Sequence, residues 1–557
     1  MTAQAVIEIP SGTHLGSALP VWSLAILLGV FSLPIDAAIP TQYIAKLHTE
    51  MLGRLPEPEE WNSAVYYYRQ AGCNRESLKA HGIRILASVE MASHGYDNDS
   101  LTLLMYRGIL NSEPIRSDYD AYVKRLNSGV SLTEIATRFY TEERFAELLP
   151  LICSGGTYGF SAFGDPPTLR PALLPGSPKS HGNISGDALQ QILNESAGKT
   201  VLLRKHTVIY LERTLVIPPG VTLATDGLPD NTRHGEMARL VRAHGFNAPL
   251  VLIRSPASDT HGIFAQKSGA LTNLWVDGGR TNDSLFVPQA VNIQVEGGNG
   301  ALVADNFIAN TLGWTSVHAL STLEGKKCAD LRIVDNLITV YPSGHYDKTW
   351  ADGLSIGCEN ALVAGNQIVD ATDVGIVLFT SYPATQRSQV LGNKVLSAGN
   401  SAFAAYGVDP LYSYTGKPDE RPDFSGSKVS NNILWSGEHT HFVMGLAIGT
   451  AAWTFVRDGH EAPNNIGTGA TVTNNTTNGI GTNLNAGIVI SGMLNATVQG
   501  NVLLRRPRLI SQCPAGNVLA AVSAGLAGGN LQDYRDVASY HCISDFSKPN
   551  EGGLEGP

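Results

Sequence analysis

The sequence predicts an all-β right-handed parallel β-helix, a single-stranded solenoid, preceded by a small all-α domain. Three observations predict this fold class. A short phrase centred on asparagine recurs in the second half of the chain, β-branched runs alternate there with Gly and Pro turns, and residues 41–150 have helical periodicity. With 557 residues, the chain is long enough for more than one domain and a large core.

Composition narrows the possible classes of protein. Hydrophobic residues make up 43% of the chain and charged residues 16%, which is typical of a folded protein rather than a disordered one. The net charge is -10, and the 39 Lys and Arg residues are scattered along the sequence. Because a surface that follows phosphates needs clustered cations, composition argues against nucleic-acid binding.

An apolar stretch near the N-terminus, from Val21 to Leu33, is too short to span a bilayer, and the small residues Ala37 and Ala38 follow it. This pattern predicts a signal peptide over residues 1–38, although no Lys or Arg precedes the stretch. The alternatives are a buried helix or a start codon assigned too early. A signal peptide implies a secreted, extracellular or periplasmic protein that makes no membrane contact once mature.

Residues 41–150 contain two copies of a helical repeat. Each copy has a helix, a break at Pro56 or Pro114, an aromatic-rich helix, a turn at Gly72 or Gly129, and a further helix. This segment resembles the helical repeat domain of unknown function found in many secreted bacterial proteins. The resemblance implies no chemistry for the domain.

Residues 151–185 are rich in Gly, Pro and Ser and predict a linker. We expect the β-helix, as the catalytic domain, over residues 186–545. It opens with the phrase GDALQQILNES, a short amphipathic helix, followed by β-branched runs separated by turns. This opening resembles the start of pectate-lyase-like β-helices, in which such a helix covers the open end of the core.

The recurring phrase is the strongest structural signal. Its asparagines are spaced by 30, 30, 27, 39, 43 and 26 residues, about the length of a β-helix coil with varying loops. Coils stack about 4.8 Å apart, so the side-chain amides are expected to form a hydrogen-bonded ladder and to tolerate the left-handed backbone of the corner. The ladder is predicted to consist of Asn306, Asn336, Asn366, Asn393, Asn432, Asn475 and Asn501.

The six cysteines are compatible with three disulfides in an oxidising compartment. Cys328 and Cys358 each precede a ladder asparagine by 8 residues, which predicts Cα atoms about 4.8 Å apart on neighbouring coils. That spacing favours a disulfide over the alternative of two stacked thiols in the core. Two further pairings are predicted, Cys73 with Cys153 and Cys513 with Cys542.

Counting residues from the ladder asparagines predicts which side chains share one outer face of the β-helix. Counting seven residues on from successive ladder asparagines reaches Asp373, Asn400 and His439, the last flanked by Glu438. The preceding coil carries His345, Lys348, Trp350 and Asp352. This count therefore predicts one outer face that carries acids, histidines and a lysine. The stacked coils would make that face a rigid platform along which a linear polymer can lie.

Asp352 and Asp373 are the central pair of this face. Their separation of 21 residues predicts that they lie on neighbouring coils, near the same strand start. Two carboxylates this close cannot both ionise freely, so one is expected to keep its proton near neutral pH. Glycoside cleavage needs one protonated acid and one carboxylate. We therefore predict Asp352 and Asp373 as catalytic residues, with Glu438 and His439 as candidates to complete the site; the alternative is that both aspartates stabilise turns.

The segment WADGLSIGCENALVAGNQIVDATDVGIVL resembles the central segment of polygalacturonases and their relatives. That family carries N-T-D-G followed, 21 residues after the Asp, by G-D-D. The resemblance implies that Asp352 matches the first aspartate and that Asp373 is the general acid. Val374 stands in place of the second Asp, Ala351 in place of the Thr, and Asn400 near the position of the catalytic His. The Arg-x-Lys motif that binds the substrate's uronate carboxylate is not recognisable.

Two alternatives remain open. Acids on successive coils could bind Ca²⁺ while Lys348 or another base removes the C5 proton of a uronate, as in the pectate lyases of this fold. The phrase YGVDP resembles one in alginate C5-epimerases, with Leu411 in place of the histidine that follows it there. The same face could instead belong to a non-catalytic adhesin or spike that binds glycan without cutting it. The hydrolase hypothesis requires no cofactor, whereas the lyase hypothesis requires Ca²⁺.

Aromatic residues are dense near the acids and are candidates for stacking on sugar rings, with loop anchoring as the alternative role. Together with polar neighbours they form the predicted substrate-binding set for a polysaccharide or oligosaccharide: Trp314, His345, Lys348, Trp350, Tyr382, Asn400, Tyr406 and Tyr412.

Overall fold

The chain forms a parallel β-helix with a group of helices packed along its side. The computed structural model describes residues 38–155, 184–254, 267–280, 286–321, 327–340, 350–380, 385–410, 422–449, 467–477, 482–490 and 493–504. Among these residues, no helix is both long enough and apolar enough to cross a membrane. The predicted signal peptide and the predicted Cys513–Cys542 pair lie outside the described residues, apart from Ala38.

Three parallel sheets run the length of the β-helix, each built from one strand per coil. The first sheet contains β1 (Thr200–Leu203), β4 (Thr222–Thr225), β7 (Ala270–Thr272), β11 (Leu302–Ala304), β15 (Arg332–Val334), β18 (Leu362–Ala364), β21 (Gln389–Leu391), β24 (Lys428–Ser430), β28 (Thr471–Thr473) and β32 (Thr497–Gln499). The second contains β2 (Val208–Leu211), β5 (Ala238–Arg242), β8 (Leu274–Asp277), β12 (Phe307–Ala309), β16 (Leu337–Thr339), β19 (Gln367–Val369), β22 (Lys394–Ser397), β25 (Ile433–Ser436) and β29 (Thr476–Thr477).

The third sheet carries the longest strands. It contains β3 (Leu215–Ile217), β6 (Val251–Arg254), β9 (Ile293–Glu296), β13 (Thr315–Leu320), β17 (Asp352–Gly357), β20 (Val374–Phe379), β23 (Ala402–Asp409), β26 (Phe442–Ile448) and β30 (Leu484–Ile490). Two short parallel pairs lie at corners: β10 (Gly298–Asn299) with β14 (Cys328–Ala329), and β27 (Gly467–Thr468) with β31 (Met493–Leu494). The predicted right-handed parallel β-helix is confirmed, and it is the fold that the pectate-lyase-like resemblance implies.

The asparagine ladder is confirmed as the spine of one corner. Asn306 donates its side-chain amide to Oδ1 of Asn336 at 3.0 Å, and Asn336 donates to Asn366 at 2.9 Å. The chain of bonds continues to Asn475, which donates to Asn501 at 2.9 Å. Each Oδ1 also accepts a backbone N–H from the preceding coil, so the buried amides are satisfied on both sides.

The prediction that the ladder asparagines themselves adopt the left-handed backbone is wrong by one position. The residue before the ladder residue makes that turn, with φ of 56° at Asp335, 67° at Gly365 and 57° at Asn431. Asp, Asn and Gly tolerate this conformation, which leaves the following asparagine free to point inward and bond to its neighbours.

Two of the predicted disulfides are confirmed. Cys328 and Cys358 are bonded between neighbouring coils, with Cα atoms 4.7 Å apart, as the ladder spacing predicts. Cys73 and Cys153 are bonded within the helical region, with Cα atoms 5.5 Å apart. The described residues contain no free cysteine.

Helices occupy both the region before the β-helix and the open end of its core. Their bounds are α1 (Thr41–Leu47), continued by a π-helical turn (His48–Leu52), α2 (Pro58–Ala71), α3 (Arg75–Leu86), α4 (Val89–His94), α5 (Asn98–Leu110), α6 (Arg116–Asn127), α7 (Leu132–Phe139), α8 (Glu143–Ile152) and α9 (Gly186–Asn194). A 3₁₀ turn spans Asn231–Glu236. Helix α9 places Leu189 and Leu193 in the β-helix core, as the predicted end-covering helix should.

The helical region packs against the outer face of the second sheet. Every residue of α1 and its π-helical turn is buried, although several are polar. Trp61 meets Trp435 of β25 edge to face, with ring centroids 6.4 Å apart, and Thr41 donates to the carbonyl of Ala398 at 2.7 Å. The second sheet is therefore covered by helices, whereas the acids of interest lie on the third.

Candidate active site

A row of small residues on the third sheet decides which side chains face outward. A Cβ at Gly353 would collide with the carbonyl of Gly375 and with the Ile368 side chain, so the chain at this position lies against the crowded interior. The equivalent position on the next strands is again Gly375 and then Ala405. Leu354, the residue after Gly353, also lies in the core, so the regular alternation is interrupted at Gly353, and Asp352 lies on the outer side of the sheet together with Ser355. The glycine of the D-G phrase is structural, and it directs the aspartate outward.

A cleft of about 130 Å³ opens on this outer face. It crosses four neighbouring strands, β13, β17, β20 and β23, or the corner directly before them. We call it the acid cleft, and its described lining residues are Trp314, Thr315, His318, Asp352, Ser355, Asp373, Val374, Val377, Phe379 and Asp409. The two aspartates identified from the sequence thus share one cavity.

Asp352 is fixed by two hydrogen bonds. The Ser355 hydroxyl donates to Oδ2 at 2.6 Å, and the Val374 backbone N–H donates to Oδ1 at 2.9 Å. Burial raises the pKa of Asp352 to about 6, while these two bonds favour the carboxylate and oppose the rise. Asp352 is therefore held in one orientation and ionises near neutral pH.

Asp373 lies directly before β20, one residue from the strand position opposite Asp352. Its backbone N–H donates to the carbonyl of Ala351 at 3.2 Å, which ties the corner to the neighbouring coil. Burial raises the pKa of Asp373 well above its usual range, and the charges of Asp352 and Asp409 raise it further. Within the pair, Asp352 therefore ionises first and Asp373 retains its proton.

His318 forms the opposite wall between two aromatic rings. Its ring stacks on Phe379 with centroids 5.6 Å apart, and it meets Trp314 edge to face at 5.6 Å. Burial lowers the pKa of His318 to about 4, so its imidazole is neutral at neutral pH. Trp314 remains 43% exposed at the edge of the cleft, where its indole can meet a ligand.

The structure brings together only part of the predicted site. Asp352, Asp373 and Trp314 line the acid cleft. Trp350 lies beside the same sheet but packs edge to face on Phe403, with centroids 6.0 Å apart, and does not line the cleft. Four predicted substrate-binding residues lie outside the described residues: His345, Lys348, Tyr382 and Tyr412.

Tyr406 is a correction. It is 1% exposed and points into the β-helix core, where its hydroxyl donates to the carbonyls of Asn393 at 2.9 Å and Ile433 at 2.8 Å. Its neighbours in register are Ile376 and Leu446, which are core residues as well. The prediction of a substrate-binding role rested on proximity to the acids and ignored the alternation of side chains along β23.

The count of seven residues from a ladder asparagine to the cleft face does not hold for the two coils after Asp373. Val374 pairs with Ala404, so Asn400 lies in an extra corner segment before β23 rather than opposite Asp373. There its backbone N–H donates to Asp370 at 3.2 Å, and the neighbouring Gly399 lies against Gln42 of α1. Asn400 therefore belongs to the contact with the helices and not to the cleft.

Glu438 and His439 are corrected for the same reason. Glu438 forms an ion pair with Arg69 of α2, and the His439 ring packs against Gly155 at the end of the helical region. Neither lines the acid cleft. The face predicted to include Asn400, Glu438 and His439 is instead divided between the cleft and the helical contact.

Four polar residues of the cleft were missed as site residues: Thr315, His318, Ser355 and Asp409. His318 and Ser355 occupy the same position on β13 and β17, and Asp409 is in register with Phe379 on β20. Counting along the strands of the third sheet, rather than from the asparagine corner, would have found His318 and Ser355. Asp409 was visible in the sequence only within the phrase YGVDP.

The arrangement of possible metal-binding side chains is the next feature of the site. No group of three or more His, Cys, Asp or Glu side chains in the described part of the chain could hold a metal ion.

Known proteins resemble this chain only distantly. No family model and no curated protein matches the chain. Thirty-one solved chains match this chain. One is an alginate lyase from Paenibacillus sp. str. FPU-7, with 11% identity, a TM-score of 0.31 and coverage of 62% of this chain and 93% of that one. PfbA, a surface adhesin of Streptococcus pneumoniae, has 12% identity, a TM-score of 0.37 and coverage of 58% and 84%. An endo-xylogalacturonan hydrolase from Aspergillus tubingensis has 11% identity, a TM-score of 0.34 and coverage of 62% and 90%. At these values the likenesses carry no argument about activity, and the parallel β-helix rests on the strand register of this chain.

Proposed function

We propose that this protein is a secreted glycoside hydrolase that cleaves a polysaccharide in the acid cleft. One observation carries the proposal. Asp352 and Asp373 come from adjacent coils and line one cavity, and the pKa of each is raised above the ordinary value for aspartate, by different causes. A protonated acid beside a carboxylate is the pair of groups that glycoside cleavage uses.

The difference between the two environments assigns the roles. Asp373, whose pKa is raised by burial and by two neighbouring carboxylates, donates its proton to the leaving glycosidic oxygen. Asp352, whose carboxylate is oriented by Ser355 and by the Val374 N–H, acts at the anomeric carbon, directly or through a water molecule. The C–O bond breaks, water supplies the new hydroxyl at the anomeric carbon, and the proton balance is restored between the two aspartates. This reaction requires no cofactor.

The surroundings support a secreted enzyme that acts on a polymer. The stacked coils form a rigid platform, which holds catalytic groups in place better than loops do. Disulfides between Cys328 and Cys358 and between Cys73 and Cys153 are typical of an oxidising, extracellular or periplasmic compartment. The partner in this proposal is a polysaccharide or oligosaccharide.

The test is a panel of neutral and uronate-bearing polysaccharides incubated with the wild type, Asp352→Asn and Asp373→Asn. New reducing ends are measured together with ultraviolet absorbance, with and without a chelator. We expect reducing ends without absorbance, no effect of the chelator, and a 10²- to 10⁴-fold loss of rate in each variant, roughly the contribution of general acid–base catalysis. Asp226→Asn, at an exposed turn far from the cleft lining, is the matched control and should keep full activity.

Other outcomes would assign a different function. Ultraviolet-absorbing products that a chelator abolishes would mean a lyase. Glycan binding without any turnover, unaffected by either variant, would mean an adhesin or spike. Full activity in both aspartate variants would refute the assigned roles.

A further inference from the structure

We propose that the polysaccharide leaves the acid cleft across β13, β9 and β6 and binds there to Gln294, Glu296 and Arg254. We call these three side chains the polar strip. They lie on the strands that precede β13 in the third sheet. The inference rests on the proposed function, because it extends the binding site for that same polymer beyond the bond held at Asp352 and Asp373.

The strand register continues the cleft lining toward β9 and β6. Ser355 of β17 is in register with His318 of β13, and both line the cleft. His318 is in turn in register with Gln294 of β9, and Glu296 of β9 with Arg254 of β6. Because neighbouring strands lie about 4.8 Å apart, β6 is about 14 Å from β17. The polar strip is therefore directly continuous with the cleft.

The side chains of the polar strip are accessible. Ile293 and Val295 of β9 lie in the β-helix core, so the alternating residues Gln294 and Glu296 face outward, and both are partly exposed. Arg254 is exposed at the end of β6. The Gln294 amide donates to Oε1 of Glu296 at 2.6 Å, which holds these two side chains side by side.

The chemistry of the polar strip suits the hydroxyl groups of a sugar. The Glu296 carboxylate accepts hydrogen bonds from hydroxyls, and bonds to a charged acceptor are the stronger kind. The Gln294 amide has both donor and acceptor atoms, and the Arg254 guanidinium donates. Trp314, directly before β13, exposes its indole at the edge of the cleft, where a sugar ring can stack. A polymer that crosses these strands would thus find stacking and hydrogen-bonding groups on successive coils.

The third sheet differs on the other side of the cleft. The positions in register with Val377 of the cleft are Gly407, Ala447 and Val489, on β23, β26 and β30. Ala447 and Val489 are 0% and 1% exposed and belong to the same apolar cluster as Val377. These buried apolar positions offer a sugar no side-chain hydrogen bond, whereas the matching position on β9 is Gln294. We therefore expect the polymer to extend from the cleft toward the N-terminal coils.

The test compares full-length Gln294→Ala/Glu296→Ala with the wild type on whichever of six polymers the wild type cleaves: xylan, galactan, mannan, β-glucan, polygalacturonate and alginate. We expect KM to rise at least 10-fold and kcat to stay within about threefold, because the polar strip binds the polymer away from the cleaved bond. Gln499→Ala, which removes an exposed glutamine from the first sheet, is the matched control and should leave KM unchanged.

Two further measurements separate binding from a defect in folding. Affinity gel electrophoresis of full-length Asp373→Asn measures binding to the same six polymers without turnover. Adding Gln294→Ala/Glu296→Ala should weaken retention at least 10-fold in every polymer that Asp373→Asn binds, and adding Arg254→Ala should weaken it several-fold. Oligosaccharides of the cleaved polymer, labelled at the reducing end, should be cut at a different bond by Gln294→Ala/Glu296→Ala, a change that loss of folded protein does not produce.

Failure of this inference is distinct from failure of the proposed function. Unchanged KM and unchanged retention in Gln294→Ala/Glu296→Ala, or retention of none of the six polymers by Asp373→Asn, would overturn the inference. If cleavage still required Asp352 and Asp373, the hydrolase assignment would stand. Weakened retention of a polymer that the wild type binds and does not cleave would support the inference and refute the hydrolase.

Discussion

Two groups of buried acids in this molecule differ in how their charge is balanced. The first lies where the helices meet the second sheet, and we call it the interface network: Glu50, Arg107, Glu113, Arg239 and Asp277. Arg107 donates to Glu50 at 2.7 and 3.2 Å and to Glu113 at 2.7 Å. The guanidinium groups of Arg107 and Arg239 lie 4.2 and 3.9 Å from the centre of the Trp275 ring.

The second group is the acid cleft, where the pKa values of the buried acids are shifted in the opposite direction. In the network, burial alone would raise the pKa of Glu50, but the charge of Arg107 and the hydrogen bonds to Glu50 hold it well below its usual range. In the cleft, burial raises the pKa of Asp352 and Asp373, and no described cation opposes it. A buried acid with cationic partners stays ionised, and removing one partner is costly, whereas a buried acid without a described cation holds its proton to higher pH.

The largest effect is expected from breaking the network. Glu50→Gln leaves Arg107 buried with one partner fewer, and loss of one member of a buried ion pair costs about 3–5 kcal/mol of unfolding free energy. Urea unfolding measures this cost. Glu134→Gln, which breaks an exposed pair with Arg138, is the control and should change stability by no more than about 0.5 kcal/mol. Equal effects of the two substitutions would remove the distinction between paired and exposed acids.

Removing an acid from the cleft should increase the stability of the fold at high pH. A group whose pKa is raised on folding contributes stability below its usual pKa, and that stability is lost as the pH rises through the folded value. Each unit by which folding raises the pKa of Asp373 costs about 1.4 kcal/mol of unfolding free energy once the group ionises, so Asp373→Asn should raise the melting temperature at pH 8 by at least about 2 °C and change it little at pH 4. Thermal unfolding at both pH values tests this, and a lower melting temperature at pH 8 would contradict it.

Ser355→Ala should act on Asp352 without removing its carboxyl group. Loss of the hydroxyl that donates at 2.6 Å disfavours the carboxylate by about 1 kcal/mol, which moves the acidic limb of the kcat/KM profile upward by about 0.7 pH units. Ser355→Thr, which keeps a hydroxyl, should restore most of the wild-type profile. An unchanged limb in Ser355→Ala would mean that Asp352 is not the group that must ionise.

Glu438 should give the smallest effect. Its ion pair with Arg69 lies at the partly exposed edge of the helical contact, so Glu438→Gln should lower stability by about 1 kcal/mol or less and leave kcat within about twofold of the wild type. Initial rates and urea unfolding of the same preparation measure both. A loss of activity comparable to that of Asp352→Asn would return Glu438 to the catalytic site.

The ladder and the aspartate pair could be predicted because identical or related residues recur at nearly equal spacing. Asn336 and Asn366, and Cys328 and Cys358, are each 30 residues apart, one full coil. Asp373 was found because it lies seven residues after Asn366, directly before β20. Asp352 lies 16 residues after Asn336 and was found from its separation of 21 residues from Asp373.

The rest depended on tertiary contacts that spacing does not encode. The extra corner residues before β23 moved Asn400 out of register, and alternation along the strand turned Tyr406 inward. The packing of the helices on the second sheet joins partners such as Trp61 and Trp435, which are hundreds of residues apart and share no motif. Acids in that contact, such as Glu438, resemble catalytic acids in sequence and differ from them only in their partners.

The most direct test of this distinction is a titration of the aspartate carboxyl groups by ¹³C NMR, comparing the wild type with Asp352→Asn and Asp373→Asn. We expect one carboxyl signal to titrate near pH 6 and a second to titrate at higher pH. Asp352→Asn should remove one signal and lower the pKa of Asp373, because the charge of Asp352 raises it, whereas Asp373→Asn should remove the signal at higher pH and leave the titration near pH 6 in place. If both carboxyl groups titrate near 3.8, the ordinary value for aspartate, the cleft holds no stored proton and the account is wrong.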